Sequence, residues 1–173
     1  MRRIFCSALI LLFLATGRAA AQPALQADLQ WGGIYLYQGE LLDSLLPEVD
    51  LLSDYIGRLK REAANTLSAA PDGDGVSGVL FVAVRPGRHA RVWVLAKSGH
   101  LSRDTEAALE LRLSAMAPVE VGAGFLFGLS FGAWGAAPYD GAGPPPLPPE
   151  WVAQIPPEGV MLNDAFIERV WPD

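Results

Sequence analysis

The chain has 173 residues, with 13 Lys and Arg against 19 Asp and Glu, and a single cysteine. An acid-rich chain is a poor partner for nucleic acid or anionic membrane surfaces. One thiol leaves no disulfide framework and no cysteine metal site.

The first residues are Met1-Arg2-Arg3, followed by an apolar run from Ile4 to Ala15 and the small residues Ala19-Ala20-Ala21. A basic start, a short apolar stretch and an A-x-A-like site predict a cleaved export leader over residues 1–21. The apolar run is shorter than the roughly 20 residues that span a bilayer. Cys6 lies inside the leader rather than just after it, which argues against a lipid anchor. The expected location is periplasmic or secreted. Removal of residues 1–21 takes away three arginines and no acids, leaving 10 Lys and Arg against 19 Asp and Glu, a net charge of −9 and no cysteine. The remaining 152 residues suffice for one domain with its own core.

Residues 22–46 present Trp31, Ile34, Tyr35 and Tyr37 around Gly32-Gly33, which fits a short strand or an irregular arm. From Pro47 the apolar positions Val49, Leu52, Ile56, Leu59, Ala63, Leu67 and Ala70 recur at three- and four-residue steps and predict a helix over 48–70. Pro47 and Glu48 suit its first turn, and Asp54 is spaced to pair with Arg58. Asp72-Gly73-Asp74-Gly75 has the start of a calcium loop. Val76 stands where a third oxygen ligand belongs and no glutamate closes the loop, so a plain turn is the preferred reading.

Two runs then alternate with period two: Leu80, Val82 and Val84 against Phe81, Ala83 and Arg85, and Val92, Val94 and Ala96 against Arg91, Trp93 and Lys97. This predicts a hairpin over 78–97 around a five-residue loop, Pro86–Ala90. With Arg85 opposite Arg91, Val84 would face Val92, and Ala83 would face Trp93. One face is aliphatic. The other carries Phe81, Trp93 and Leu95, with cations at the turn end. Ser102 can cap a helix over 103–116, whose inward stripe is Thr105, Ala108, Leu109, Leu113 and Met116. Phe125, Phe127, Leu129 and Phe131 then alternate with Leu126, Gly128, Ser130 and Gly132, giving a strand over 124–132. Its slim face should let a helix approach closely. Beyond residue 137 the chain is proline-rich and carries Trp151, Val152 and Ile155, then a short helix capped by Asn163 with Phe166, Ile167, Val170 and Trp171. Apolar anchors so dense predict that this arm folds back onto the domain.

No catalytic set emerges. Gly128-Leu129-Ser130-Phe131-Gly132 matches the G-x-S-x-G nucleophile elbow. That motif needs a sharp strand-to-helix turn with a histidine after it, and both His89 and His100 precede Ser130. Two histidines beside turns give no zinc spacing. The scattered carboxylates do not single out a pair. The uncharged run from Val121 to Tyr139 spaces Gly124, Gly128 and Gly132 four apart, as in packed membrane helices, but the phenylalanines alternate with period two and favour a strand. What remains is a cationic cluster in an acidic protein: Arg85, Arg88 and Arg91 at the hairpin tip, with Trp93 and Lys97 on the same face. A solvated turn, or pairing with the chain's own acids, is the simpler account. The sharper one is a docking patch made of Arg85, Arg88, Arg91, Trp93 and Lys97.

The run Gly78-Val79-Leu80-Phe81-Val82-Ala83-Val84, Lys97-Ser98-Gly99 after the second strand, Asp104 with Ala107, Ala108 and Leu109 in the helix, and Pro118-Val119 before the last strand together resemble the C-terminal domain of TonB and TolA. Those are periplasmic proteins that transmit force or contacts between the membranes of Gram-negative cells. The likeness covers residues 78–132, about one-third of the chain. An uncleaved membrane anchor and the Tyr-Pro that opens the family's domain are absent, and the proline-rich segment follows the domain instead of preceding it. The resemblance implies a sheet edge that receives an extended peptide.

The expected fold is α+β: a small, mainly antiparallel sheet of about three strands in strand-strand-helix-strand order, with helix 103–116 on its aliphatic face. An additional N-terminal helix occupies 48–70, and a proline-rich arm occupies 138–173 after a single domain over 22–137. Helix 48–70 or the tryptophan-bearing arm should cover Phe81 and Trp93. The expected role is a non-enzymatic periplasmic interaction module without a cofactor, whose partner is another envelope protein or a peptide. Two other readings stand beside it: a membrane-associated protein inserting 121–139, and an enzyme whose carboxylates only the fold assembles.

Overall fold

The structure is a computed structural model that describes residues 28–38, 49–71, 73–141, 143–156 and 162–172. The predicted leader, Pro47, Glu48 and Asp72 lie outside the described residues. In chain order the elements are β1 (Gln30–Leu36), α1 (Val49–Ser68), β2 (Val76–Arg85), β3 (His89–Ser98), α2 (Arg103–Ser114), β4 (Phe125–Ala133), α3 (Pro149–Val152) and α4 (Asp164–Val170). The fold is α+β, with one four-stranded sheet in the order β1-β4-β2-β3, antiparallel at every pairing. The sequence suggests about three strands. The fourth is β1, which pairs with β4 and absorbs the Gly32-Gly33 pair in a bulge between Trp31 and Ile34.

The nine residues of β4 are all buried, as befits a central strand covered on both faces. Its bulky side, Phe125, Phe127, Leu129 and Phe131, joins Leu80, Val82, Val84 and Val92 in the larger core cluster. That cluster is closed by Leu52, Tyr55, Ile56 and Leu59 of α1 and by Leu109 and Leu113 of α2. Tyr55 meets Phe127 edge-on at 6.5 Å. Both long helices therefore lie on the aliphatic and phenylalanine face. On the slim side of β4 the helices are the two short ones of the C-terminal arm: Leu126 clusters with Trp151 of α3 and with Phe166 and Ile167 of α4. A Cβ on Gly132 would collide with the backbone of Ala136 and Ala137, so the glycine makes room for the chain folding back after β4.

The opposite face is covered by the C-terminal arm. Val79, Phe81, Ala83, Trp93 and Leu126 of the sheet form a second cluster with Trp151, Phe166 and Ile167. Trp151 is the keystone: its ring sits edge-on to Trp93 at 4.7 Å, to Phe81 at 5.3 Å and to Phe166 at 5.8 Å. Asn163 caps α4 by accepting the Phe166 N–H at 3.2 Å.

The hairpin register differs from the expected one. Arg85 faces His89, Ala83 faces Arg91, Phe81 faces Trp93 and Val82 faces Val92. The loop is three residues, Pro86-Gly87-Arg88, because Gly87 (φ 81°) and Arg88 (φ 65°) both adopt the left-handed conformation and reverse the chain sooner. Arg85 and Arg91 are consequently not opposed. On α1, Arg58 donates to the Ala117 carbonyl at 3.0 Å and lies over the Tyr55 ring at 5.4 Å, rather than pairing with Asp54.

Candidate protein interface

An antiparallel sheet with four strands has two edges, and each presents alternate N–H and C=O groups outward. In this chain the two edges are treated differently. At β3 the outward groups are taken by α2. Val92 N–H donates to Ser114 Oγ at 2.9 Å, and Val94 N–H donates to Glu110 Oε1 at 3.0 Å. Ser114 and Glu110 stand four residues apart on one side of α2, the spacing that sets two side chains above one another along a strand. Burial, the largest influence, raises the pKa of Glu110 above the ordinary carboxylate value. Glu150 and Glu106 push in the same direction, while the Val94 N–H and Arg91 oppose it. The middle of the β3 edge, at Val92 and Val94, is thus closed by side chains of the same chain.

At β1 the inward set is identified by Tyr37 N–H, which donates to the Leu126 carbonyl of β4 at 3.3 Å. By alternation, Tyr35 also faces β4, and the N–H and C=O groups of Ile34 and Leu36 point away from the sheet. The side chains of these two residues sit opposite Leu129 and Phe127, on the α1 side of the sheet. They are 47% and 40% exposed, and Val49 beside them on α1 is 53% exposed. A groove of about 440 Å3 runs between β1 and α1, walled by Ile34, Leu36, Val49, Leu52 and Ile56, with Lys60 at one end. The Lys60 ammonium lies 5.4 Å from the centre of the Trp31 ring. Gln38 fixes the far end of β1: its Oε1 accepts the Leu126 N–H at 2.9 Å, and its amide donates to the Leu162 carbonyl.

No known family, no curated protein and no solved structure matches this chain. Its own geometry therefore carries the functional reading.

The residues singled out in the sequence are brought together only in part. Arg85, Arg91, Trp93 and Lys97 share the face covered by the arm. Trp93 is buried beneath Trp151. Arg85 lies over the Trp171 ring at 4.5 Å and donates to the carbonyls of Ile167 and Trp171, so it holds the C-terminal end of α4. Arg91 stacks on Trp93 at 5.0 Å. Arg88 sits at the exposed turn, and Lys97 is exposed at the opposite end of β3. Three of the five residues, Arg85, Arg91 and Trp93, thus engage the chain's own aromatic face.

A cavity of about 610 Å3 lies between this turn and α4 and is lined by Arg85, His89, Asp164, Glu168 and Trp171. Asp164 Oδ1 there accepts the Gly124 N–H. Ser130, the centre of the G-x-S-x-G match, is fully buried in mid-strand, and the strand runs on to Ala133 instead of turning at the serine into a helix. Among the described residues no three His, Cys, Asp or Glu side chains are grouped so that they could hold a metal ion. No described helix is long and apolar enough to cross a membrane, and Phe125–Ala133 within the glycine-spaced run is the strand β4.

The residues of the two edges, Ile34, Leu36, Lys60, Glu110 and Ser114, are absent from the sequence-based patch. The alternation of Ile34 and Leu36 is a usable signal, blunted by the adjoining glycines. Nothing in the spacing of Glu110 and Ser114 ties them to strand N–H groups.

Proposed function

We propose that this chain is an exported, non-enzymatic interaction module of the cell envelope, and that it receives an extended segment of another envelope protein along β1. The observation that carries this reading is the contrast between the edges. Side chains of α2 close β3, whereas β1 offers the outward groups of Ile34 and Leu36 beside an apolar groove. Added strands gain affinity from main-chain hydrogen bonds and selectivity from pockets that accept alternate side chains, and β1 with its groove supplies both. The order β2-β3-α2-β4 and its likeness to the TonB and TolA C-terminal domain, together with the predicted leader, support an envelope setting.

The test uses a proline. Leu36→Pro removes one outward N–H and leaves the hydrogen bonds that face β4, a position where edge strands tolerate proline. A photo-crosslinking side chain at position 34 in intact cells should yield an adduct with another envelope protein. Leu36→Pro should remove that adduct while the melting temperature of the purified chain stays within about 5 °C of the unmodified value. A crosslinker at position 97, near the end of the opposite edge strand β3, should give none. Equal adducts from both edges, or an adduct indifferent to Leu36→Pro in a folded chain, would overturn the reading.

A further inference from the structure

The groove beside β1 is apolar along its walls but not at its end. Lys60 is half-buried there; among the described residues no carboxylate pairs with it, and its ammonium lies over the Trp31 ring. Helix α1 cannot supply an acid, because the positions one turn away on either side are Ile56, Gly57, Ala63 and Ala64. A cation held against an aromatic ring beside an apolar groove, in a chain with a net charge of −9 after the predicted cleavage, is placed to receive an acidic group.

We propose that the segment docking on β1 carries an acidic side chain that meets Lys60, two residues beyond two groove-facing apolar residues. This rests on the edge-docking reading above and names the chemistry of its partner. Ile34, Leu36 and Trp31 all face the α1 side of the sheet, opposite Leu129, Phe127 and Phe131. A strand laid along them presents every second residue to the groove. Its groove-facing pattern is apolar, any residue, apolar, any residue, acid. Every pairing in this sheet is antiparallel. An added strand of the same sense runs from Leu36 toward Trp31 and brings the acid at its C-terminal side. The edge continues past Trp31 to Gln30, so the segment need not end there and the acid is a side chain rather than a chain terminus. The overall negative charge of the protein opposes approach only over distances that salt screens, about 8 Å at physiological ionic strength, while the contact with Lys60 is local.

The experiment uses the chain from residue 22 onward and two fluorescent seven-residue peptides, capped at both ends, that alternate threonine with valine. They differ only in carrying glutamate or glutamine as the groove-facing residue after two valines. Fluorescence anisotropy gives affinity, and amide hydrogen exchange at Ile34 and Leu36 reports where the peptide lies. The glutamate peptide should bind about five-fold more tightly. Lys60→Met, which keeps the apolar stem, should abolish that difference and leave the glutamine peptide unaffected, with a thermal melt showing that the variant is folded. Equal binding of the two peptides, or a glutamate preference that survives Lys60→Met, would overturn the acid and leave edge docking standing. If neither peptide protects the Ile34 and Leu36 amides, edge docking itself fails and the acid with it.

Discussion

Glu110 performs a structural task as an anion that its surroundings disfavour. Its carboxylate accepts the Val94 N–H, yet burial and the neighbouring Glu150 and Glu106 raise its pKa above the ordinary value of 4.5. Between that ordinary value and the raised folded one, the folded chain keeps a proton that the unfolded chain has released, so stability falls as pH rises through the window. Glu110→Gln retains an oxygen for Val94 and removes the charge. It should raise the melting temperature at pH 7 and lose that advantage below pH 4.5, as thermal unfolding at the two pH values would register. Arg85 marks the limit of reading single residues from sequence. It lies at a hairpin end among other cations and reads as a surface charge. In the fold it stacks on Trp171 and bonds the carbonyls at the end of α4, and no spacing rule links positions 85 and 171.

Among the elements, the hairpin illustrates what alternation can and cannot specify. A one-residue slip would turn every side chain to the wrong face, and the pattern forbids it. The observed pairing differs from the expected one by two residues, which leaves both faces unchanged; turn conformation at Gly87 and Arg88 decides between the two. The stripe of α1 and the cap of α2 are legible for the same reason as the alternation: they are periodic or local. Ser102 accepts the Thr105 N–H at 3.1 Å, as its position before the helix suggests. The closure of β3 is not legible, since it depends on α2 lying along the strand at one height. Removing that closure has a definite outcome. Glu110→Ala with Ser114→Ala leaves the Val92 and Val94 N–H groups without acceptors and turns β3 into a second open edge. Sedimentation velocity should then detect assemblies larger than those of the unmodified chain, because an unpaired edge recruits other strands. An unchanged size distribution in a folded double variant would count against Glu110 and Ser114 as edge guards.

For the whole molecule, the decisive event is the return of the arm. The density of Trp151, Phe166 and Ile167 in a proline-rich tail indicates that it packs somewhere. Which sheet face it covers is settled by competition, since α1 and α2 fill the aliphatic face and leave Phe81 and Trp93 to the arm. Trp151 is fully buried, and its indole N–H has no hydrogen-bond partner among the described residues. It is retained there for its area and shape. Trp151→Ala should cost about 3–5 kcal/mol in denaturant unfolding and expose Phe81 and Trp93 to a dye such as anilinonaphthalene sulfonate. Failure of the dye to bind in a destabilised but folded variant would mean that the arm holds by other contacts.

The pairing of Trp93 with Trp151 has an optical corollary. Two indoles 4.7 Å apart with their planes at 83° are close enough for their electronic transitions to couple as one exciton. The split circular dichroism signal of such a pair exists only while a tryptophan of the arm rests on a tryptophan of the sheet. The protein thus carries a native chromophore for the docked state of its own C-terminal arm, readable in solution without a label.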